Sequence, residues 1–221
     1  MQFYLPTMDG KGEFPPIEEA LSEPNGLLAF GGDLTPETLI KAYSHGIFPW
    51  YSAQEPILWW SPNPRMVLFP DKIHLSRSFK RALKKTRYTV HFDRNFEQVT
   101  NQCAQVRKDG LGTWITDEMK QAYQELHKLG VAHCLEIDIA GELAGGIYGI
   151  ELENIFYGES MFSTQTNGSK FALYELCAYL IKNKFKILDC QAHSNHLETM
   201  GAELISIRKF KQYLPKNPDI G

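Results

Sequence analysis

The chain has 221 residues, 43% hydrophobic and 22% charged, a composition ordinary for a soluble globular protein and long enough to bury a substantial core. No apolar run reaches about 18 residues, which excludes a transmembrane helix, and residues 1–6 lack the basic-then-apolar pattern of a signal peptide. The net charge of −3 argues against a nucleic-acid partner, but it hides an asymmetry: residues 72–87 hold seven basic side chains and no acid, leaving −10 on the remainder.

In chain order, Thr35, Pro36 and Glu37 open a helix as N-cap, first helical residue and first-turn acid. Leu39, Ile40, Ala42 and Tyr43 form its apolar face, and Gly46 ends it. Pro62 and Pro64 hold residues 59–65 extended and place a domain boundary near them. Residues 75–86 read as a helix with an apolar stripe of Leu75, Phe79, Ala82 and Leu83. Arg77, Lys80, Arg81, Lys84 and Lys85 fall on its opposing face. A strand over 88–92 and a helix over 96–106 follow, and Thr116, Asp117 and Glu118 start another helix that Gly130 closes. Residues 132–162 read as a three-strand meander with turns at 140–142 and 153–154. Residues 169–183 form an amphipathic helix with Leu173, Leu176, Cys177, Leu180 and Ile181 inward, and a last strand spans 187–191. Antiparallel strands, a helix and a further strand make an α+β plan.

That last strand carries Asp189 and Gln191 two residues apart, hence on one face. The strand over 155–162 places Glu159 between Tyr157 and Met161 on one face. If the two strands are neighbours, two acids and an amide converge in a partly apolar setting. Such a site orients an amine nucleophile and shifts its own pKa values. The competing reading is that these residues make caps and turns at strand ends.

Five cations on one side of a helix match the spacing needed to follow a phosphate backbone; the alternative is a solvated face. Trp50 and Trp114 lie in loops, where stacking on a nucleobase is worth about 1–3 kcal/mol; the alternative is a core or lid tryptophan. Together these features suggest the single-stranded end of a nucleic acid next to a duplex. Residues 107–112 match the R/Q-x-x-G-x-G/A pyrophosphate loop of acetyl-CoA-dependent acetyltransferases, but they precede the meander instead of opening a helix after it. The correctly placed stretch, 165–170, has Lys170 at its last small-residue position. The four cysteines (Cys103, Cys134, Cys177, Cys190) are far apart, with no CxxC pair. That disfavours zinc and a disulfide framework and fits a reducing cytoplasm. No GxSxG, HExxH or Ser/His/Asp triad is evident, and His193 and His196 have no metal-ligand partners in sequence.

Six blocks in order, at residues 26–34 (GLLAFGGDL), 46–50 (GIFPW), 59–62 (WWSP), 112–116 (GTWIT), 158–162 (GESMF) and 188–191 (LDCQ), strongly resemble the leucyl/phenylalanyl-tRNA–protein transferase family. The resemblance runs from about residue 26 to 210. It implies a small N-terminal α/β domain over 1–64 and a GNAT-like acyltransferase domain over 65–221 with a mostly antiparallel central sheet. It implies transfer of Leu or Phe, and also Met, from aminoacyl-tRNA to the N-terminal α-amine of proteins beginning with Arg or Lys, marking them for N-degron proteolysis. By the same resemblance Asp189, Gln191 and Glu159 are active-site polar residues. Trp50 and Trp114 meet the tRNA 3′-adenosine, and Arg77, Lys80, Arg81 and Lys84 meet acceptor-stem phosphates. Met161, Leu173 and Leu176 line the aminoacyl side-chain pocket. A cytoplasmic monomer with no cofactor, metal or membrane partner is expected. The rival classes are an acetyl-CoA-dependent N-acetyltransferase and a non-enzymatic RNA-binding module.

Overall fold

The computed structural model describes residues 6–8, 13–105 and 115–216. Trp114 and residues 107–112 lie outside the described residues, as do the expectations placed on them.

Side-chain caps set the helix starts. Thr35 accepts from the Thr38 N–H at the head of α1 (Pro36–Ser44), and Ser76 from the Phe79 N–H at the head of α2 (Arg77–Lys85). Asn95 accepts from the Gln98 N–H at the start of α3 (Phe96–Gln105), and Thr116 caps α4 (Asp117–Lys128) through the Met119 N–H. These bonds satisfy amides that have no partner inside the helix. Three further helices follow: α5 (Gly168–Lys182), α6 (Asn195–Thr199) and α7 (Ile207–Phe210).

A small sheet pairs β1 (Thr7–Met8), β2 (Leu27–Gly31), β3 (Phe48–Pro49) and β4 (Leu58–Trp60) in the order β1-β2-β4-β3. A large sheet contains β5 (Arg65–Leu68), β6 (Tyr88–Phe92), β7 (Ala132–Ile139), β8 (Glu142–Leu152), β9 (Ile155–Ser163), β10 (Ile187–Gln191) and β11 (Glu203–Ile205). Its order is β11-β5-β10-β9-β8-β7-β6. Every neighbouring pair in it is antiparallel except β9 and β10, which run parallel around α5 as crossover. The expected α+β architecture, meander and mostly antiparallel central sheet are therefore what the chain forms.

Both faces of the large sheet are covered. One packs Phe79 of α2 and Phe171, Leu173, Leu176 and Leu180 of α5 against Phe156 and Leu188. The other packs Val99, Met119, Tyr123 and Leu126 of α3 and α4 against Tyr148 and Tyr157. This cluster continues through Leu39 and Tyr43 of α1 to Trp59 of the small sheet. Ile181 was expected to face inward but is 51% exposed. Each helical residue turns by about 100°, which carries Ile181 past the edge of the stripe made by Leu173, Leu176, Cys177 and Leu180.

Helix α5 meets the sheet backbone to backbone. A Cβ built on Gly168 would lie 1.9 Å from the Ala144 carbonyl oxygen, and one on Gly145 would lie 2.3 Å from the Gly168 carbonyl carbon. The Thr164 and Gln165 N–H groups both donate to that Ala144 oxygen, so the chain entering α5 is bound to β8 as well. Gly168→Ala is expected to cost about 1–3 kcal/mol through overpacking. Equilibrium urea unfolding checks this; an unchanged midpoint would mean that α5 can slide away from β8.

Candidate active site

Strands β9 and β10 are neighbours, with Asp189 opposite Tyr157. The two acids and the amide do converge, but through two irregularities that period-2 alternation does not contain. The β8–β9 register shifts between Tyr148 and Gly149, opposite Ser160 and Gly158, which leaves Glu159 as the extra residue. Tyr157 and Met161 therefore pack on opposite sides of the sheet and do not share a face as expected. The β10–β5 register shifts between Asp189 and Gln191, and Gln191 sits at φ 65°. Asp189 and Gln191 then diverge.

The Asp189 side chain turns toward Arg65 on β5. Arg65 Nε donates to Oδ1 at 2.8 Å and Nη2 to Oδ2 at 2.6 Å, and neither side chain has any solvent exposure. The guanidinium lies over the rings of Phe48 and Phe210, 4.8 and 4.7 Å from their centroids. A bidentate charge-assisted pair of this kind fixes geometry as well as contributing energy. The free lobe of Oδ1 accepts the Gln191 N–H at 2.9 Å. Asp189 thus holds the backbone of Gln191, whose own side chain turns to Glu159. Asp189 is therefore not available to attract the charge of an incoming acceptor, because Arg65 neutralises it and the fold buries it.

Glu159 is 8% exposed and receives three donors. Tyr43 from α1 donates to Oε1 at 2.6 Å, Gln191 Nε2 to Oε1 at 2.8 Å, and Tyr123 from α4 to Oε2 at 2.8 Å. Burial pushes the Glu159 carboxyl up to about 7; the three donors oppose that rise and the Asp189 charge adds to it. Both phenols are pushed well above their ordinary value, first by burial and then by the Glu159 charge.

Two cavities meet at this carboxylate. One, of about 260 Å³, is walled by Ile147, Met161, Leu173, Leu188 and Leu197. The other, of about 230 Å³, is walled by Phe48, Pro49, Trp50, Ala192, His193 and Ser194. Glu159, Cys190 and Gln191 line both. Of the three expected pocket residues, Met161 and Leu173 are on the wall. Leu176 is not; it is fully buried in the core one turn further along α5. Trp50 is 41% exposed, with its carbonyl tied to Trp60 Nε1 at 2.7 Å. Arg77, Lys80, Arg81 and Lys84 are all exposed on α2, and none is held in an ion pair among the described residues. Phe79 seats that helix against Phe171 of α5, ring centroids 5.2 Å apart, and so turns the basic face outward.

Four contributors escaped sequence reasoning. Tyr43 and Tyr123 lie on apolar helix faces, where a tyrosine reads as packing. Arg65 follows the two prolines, where it reads as part of a linker. Leu188 alternates with Asp189 and reads as core. At the head of α5, the Gly168 and Ser169 N–H groups are already bound to the Gln165 carbonyl and to Ser163 Oγ. That leaves a poor cradle for the pyrophosphate of acetyl-CoA. Among the described residues, no group of three or more His, Cys, Asp or Glu could hold a metal ion, and no helix is long and apolar enough to cross a membrane.

Comparison with known proteins first gives the class, a transferase. The family model described as leucyl/phenylalanyl-tRNA protein transferase matches residues 67–215, and the model of that family's N-terminal domain matches residues 32–63. The leucyl/phenylalanyl-tRNA–protein transferase of Pseudomonas putida (strain W619) is 50% identical over 206 residues, covering 93% of this chain and 91% of that one. The protein of the same name from Azotobacter vinelandii is 50% identical over 207 residues, covering 94% and 92%. The chain belongs to the leucyl/phenylalanyl-tRNA–protein transferase family. Solved structures similar in part include L-PGS from Bacillus licheniformis, with TM-score 0.42 and 15% identity over 76% of this chain and 54% of that one. A GCN5-related N-acetyltransferase from Kribbella flavida has TM-score 0.38 and 9% identity over 79% and 62%.

Two stability measurements probe the site. Arg65→Met is expected to cost about 3–5 kcal/mol by leaving Asp189 buried without a partner, and Arg65→Met with Asp189→Leu to recover most of that loss. Denaturant unfolding of the three proteins gives the comparison. For Glu159, the folded value of about 7 lies above the ordinary 4.5, so between these pH values the folded chain holds a proton that the unfolded chain releases. Stability should therefore fall as pH rises through this window, by about 3 kcal/mol for this group. Glu159→Gln should flatten that part of the stability–pH curve.

Proposed function

We propose that this transferase moves Leu or Phe, and also Met, from aminoacyl-tRNA to the N-terminal α-amine of proteins beginning with Arg or Lys, marking them for N-degron proteolysis. The observation that carries this reading is the apolar cavity that ends at the Glu159–Gln191 hydrogen bond and shares that end with a second cavity beside Trp50. The aminoacyl side chain fills the first cavity, against Met161 and Leu173. The 3′-adenosine stacks at Trp50 and Trp114, and the acceptor stem follows Arg77, Lys80, Arg81 and Lys84. The reading also divides the chain into parts over 1–64 and 65–221 that work as a cytoplasmic monomer.

An aminoacyl ester is already activated, so the enzyme needs no nucleophile of its own; holding the amine against the carbonyl supplies much of the rate. Gln191 gives its amide N–H to Glu159 and keeps its carbonyl oxygen for an N–H of the amine. A neutral amide is a poor base, so its task is orientation. Asp189 and Arg65 keep its backbone in place. The Glu159 carboxylate adds attraction for a basic acceptor. The apolar cavity separates Leu from Ile and Val by shape, and one methylene there is worth only about 1–3 kcal/mol, so discrimination is modest.

Transfer of radiolabelled leucine from Leu-tRNA to a protein beginning with Arg, beside one beginning with Gly, tests the reading. Label on the Arg protein alone is expected; label on neither, from folded protein, would redirect attention to another acyl donor such as acetyl-CoA. Changing Arg77, Lys80, Arg81 and Lys84 to Glu should weaken aminoacyl-tRNA binding and flatten its salt dependence. Unchanged affinity would make α2 a solvated face.

A further inference from the structure

Three oxygen centres form a closed ring where the two cavities meet. Tyr43 OH lies 2.6 Å from the Glu159 carboxylate, Tyr123 OH lies 2.8 Å from it, and the two hydroxyls lie 2.5 Å from each other. Each of these contacts requires a proton between its oxygens. Two phenols supply two protons. With Glu159 ionised, both go to the carboxylate, because bonds to a charged acceptor are the stronger ones. The contact between the hydroxyls then sets lone pair against lone pair. A third proton, on Glu159, completes the set: carboxyl to one hydroxyl, that hydroxyl to the other, and the second back to the carboxylate. Gln191 Nε2 donates to Oε1 from outside the ring in either state.

We infer that this ring takes up the proton that the acceptor amine loses as it attacks the aminoacyl ester, with Glu159 as the accepting group and Tyr43 and Tyr123 as positioning residues. The inference rests on the aminoacyl-transfer reading above and gives the proton its first destination. The balance is closed. The amine lone pair forms the new C–N bond, and the N–H bond breaks with its proton passing to Glu159. The ester C–O bond then breaks, its electron pair stays on the ribose oxygen, and Glu159 returns the proton there to give the free hydroxyl. Glu159 lines both cavities, so it stands at their junction, where the ester between the aminoacyl side chain and the 3′-adenosine meets the amine. The other titratable groups facing it are Tyr148 from β8, a phenol held high by burial, and Asp189, which Arg65 neutralises. Cys190 on the shared wall is a thiol pushed well up by burial, and His193 stands in the second cavity beside Glu198.

Single-turnover leucine transfer from pH 5.5 to 9 tests this in the wild type, Glu159→Gln, Tyr43→Phe and Tyr123→Phe. The wild-type rate should rise with pH through a limb near 7 and then level off. Glu159→Gln should lose about 100-fold or more and lose the limb, in keeping with the size of acid–base effects. Each phenylalanine variant should lose about 10-fold, keep its KM for Leu-tRNA, and move the limb to higher pH, because the carboxylate has lost a donor. A Glu159→Gln enzyme with wild-type rate and limb would overturn the inference while leaving the transferase intact. No transfer by the wild type itself would instead overturn the reading beneath it. If the phenylalanine variants fail to fold, wild type decides with acceptor peptides of different amine pKa. A limb that stays fixed supports Glu159, and a limb that follows the amine overturns it.

Discussion

The site hangs on a guanidinium and a carboxylate that are both shut away from water. Two charges moved out of solvent repay their desolvation only when the geometry is good and the remaining lone pairs are used. Arg65 and Asp189 meet the first condition with two parallel hydrogen bonds, and the Gln191 N–H helps meet the second. From there a line of contacts runs outward. The held backbone lets Gln191 adopt a left-handed conformation, which turns its amide to Glu159, and Glu159 in turn ties down Tyr43 and Tyr123. Phe48 and Phe210 clasp the guanidinium from the small sheet and from α7. Elements far apart in the chain are thereby fixed to one another at the point where the cavities join.

The electrostatic character of Glu159 comes from a contest, not from one neighbour. Burial alone would drive a carboxyl far up, and three donors alone would drive it below its ordinary value. Here burial prevails over the donors by a moderate margin, which leaves a group poised near neutrality. The tyrosines are well suited to this balance because their rings complete the apolar surroundings while their hydroxyls supply the opposing hydrogen bonds.

Much of the fold was legible because local chemistry and burial agree. Thr35 and Thr116 sit where caps are needed, and the meander shows its turns openly. Asp189 and Gln191 stood out because polar residues ending an apolar run need an explanation, and Glu159 because it interrupts one. Their mutual geometry was not legible. The extra residue at Glu159 and the register shift at Gln191 come from pairing with β8 and β5, and strand alternation alone does not contain them. Nor could Arg65 be matched to Asp189 across 124 positions, or a tyrosine on a helix be told from ordinary core before its hydroxyl met an acid. Leu176 and Ile181 failed for a different reason: helical periodicity says which residues point inward, but not where a cavity stops or a stripe ends.

One consequence follows from the contact of Gly168 and Gly145. In most proteins a helix beside a pocket can shift when a wall residue changes size, so part of the change is absorbed. Here the helix that carries Leu173 is pinned main chain to main chain, with no side chain between to yield. Room lost or gained at Leu173 is therefore passed almost undiminished to whatever occupies the cavity. Single substitutions on that wall can retune what the protein accepts in small, separable steps, without disturbing the polar end where the two cavities join.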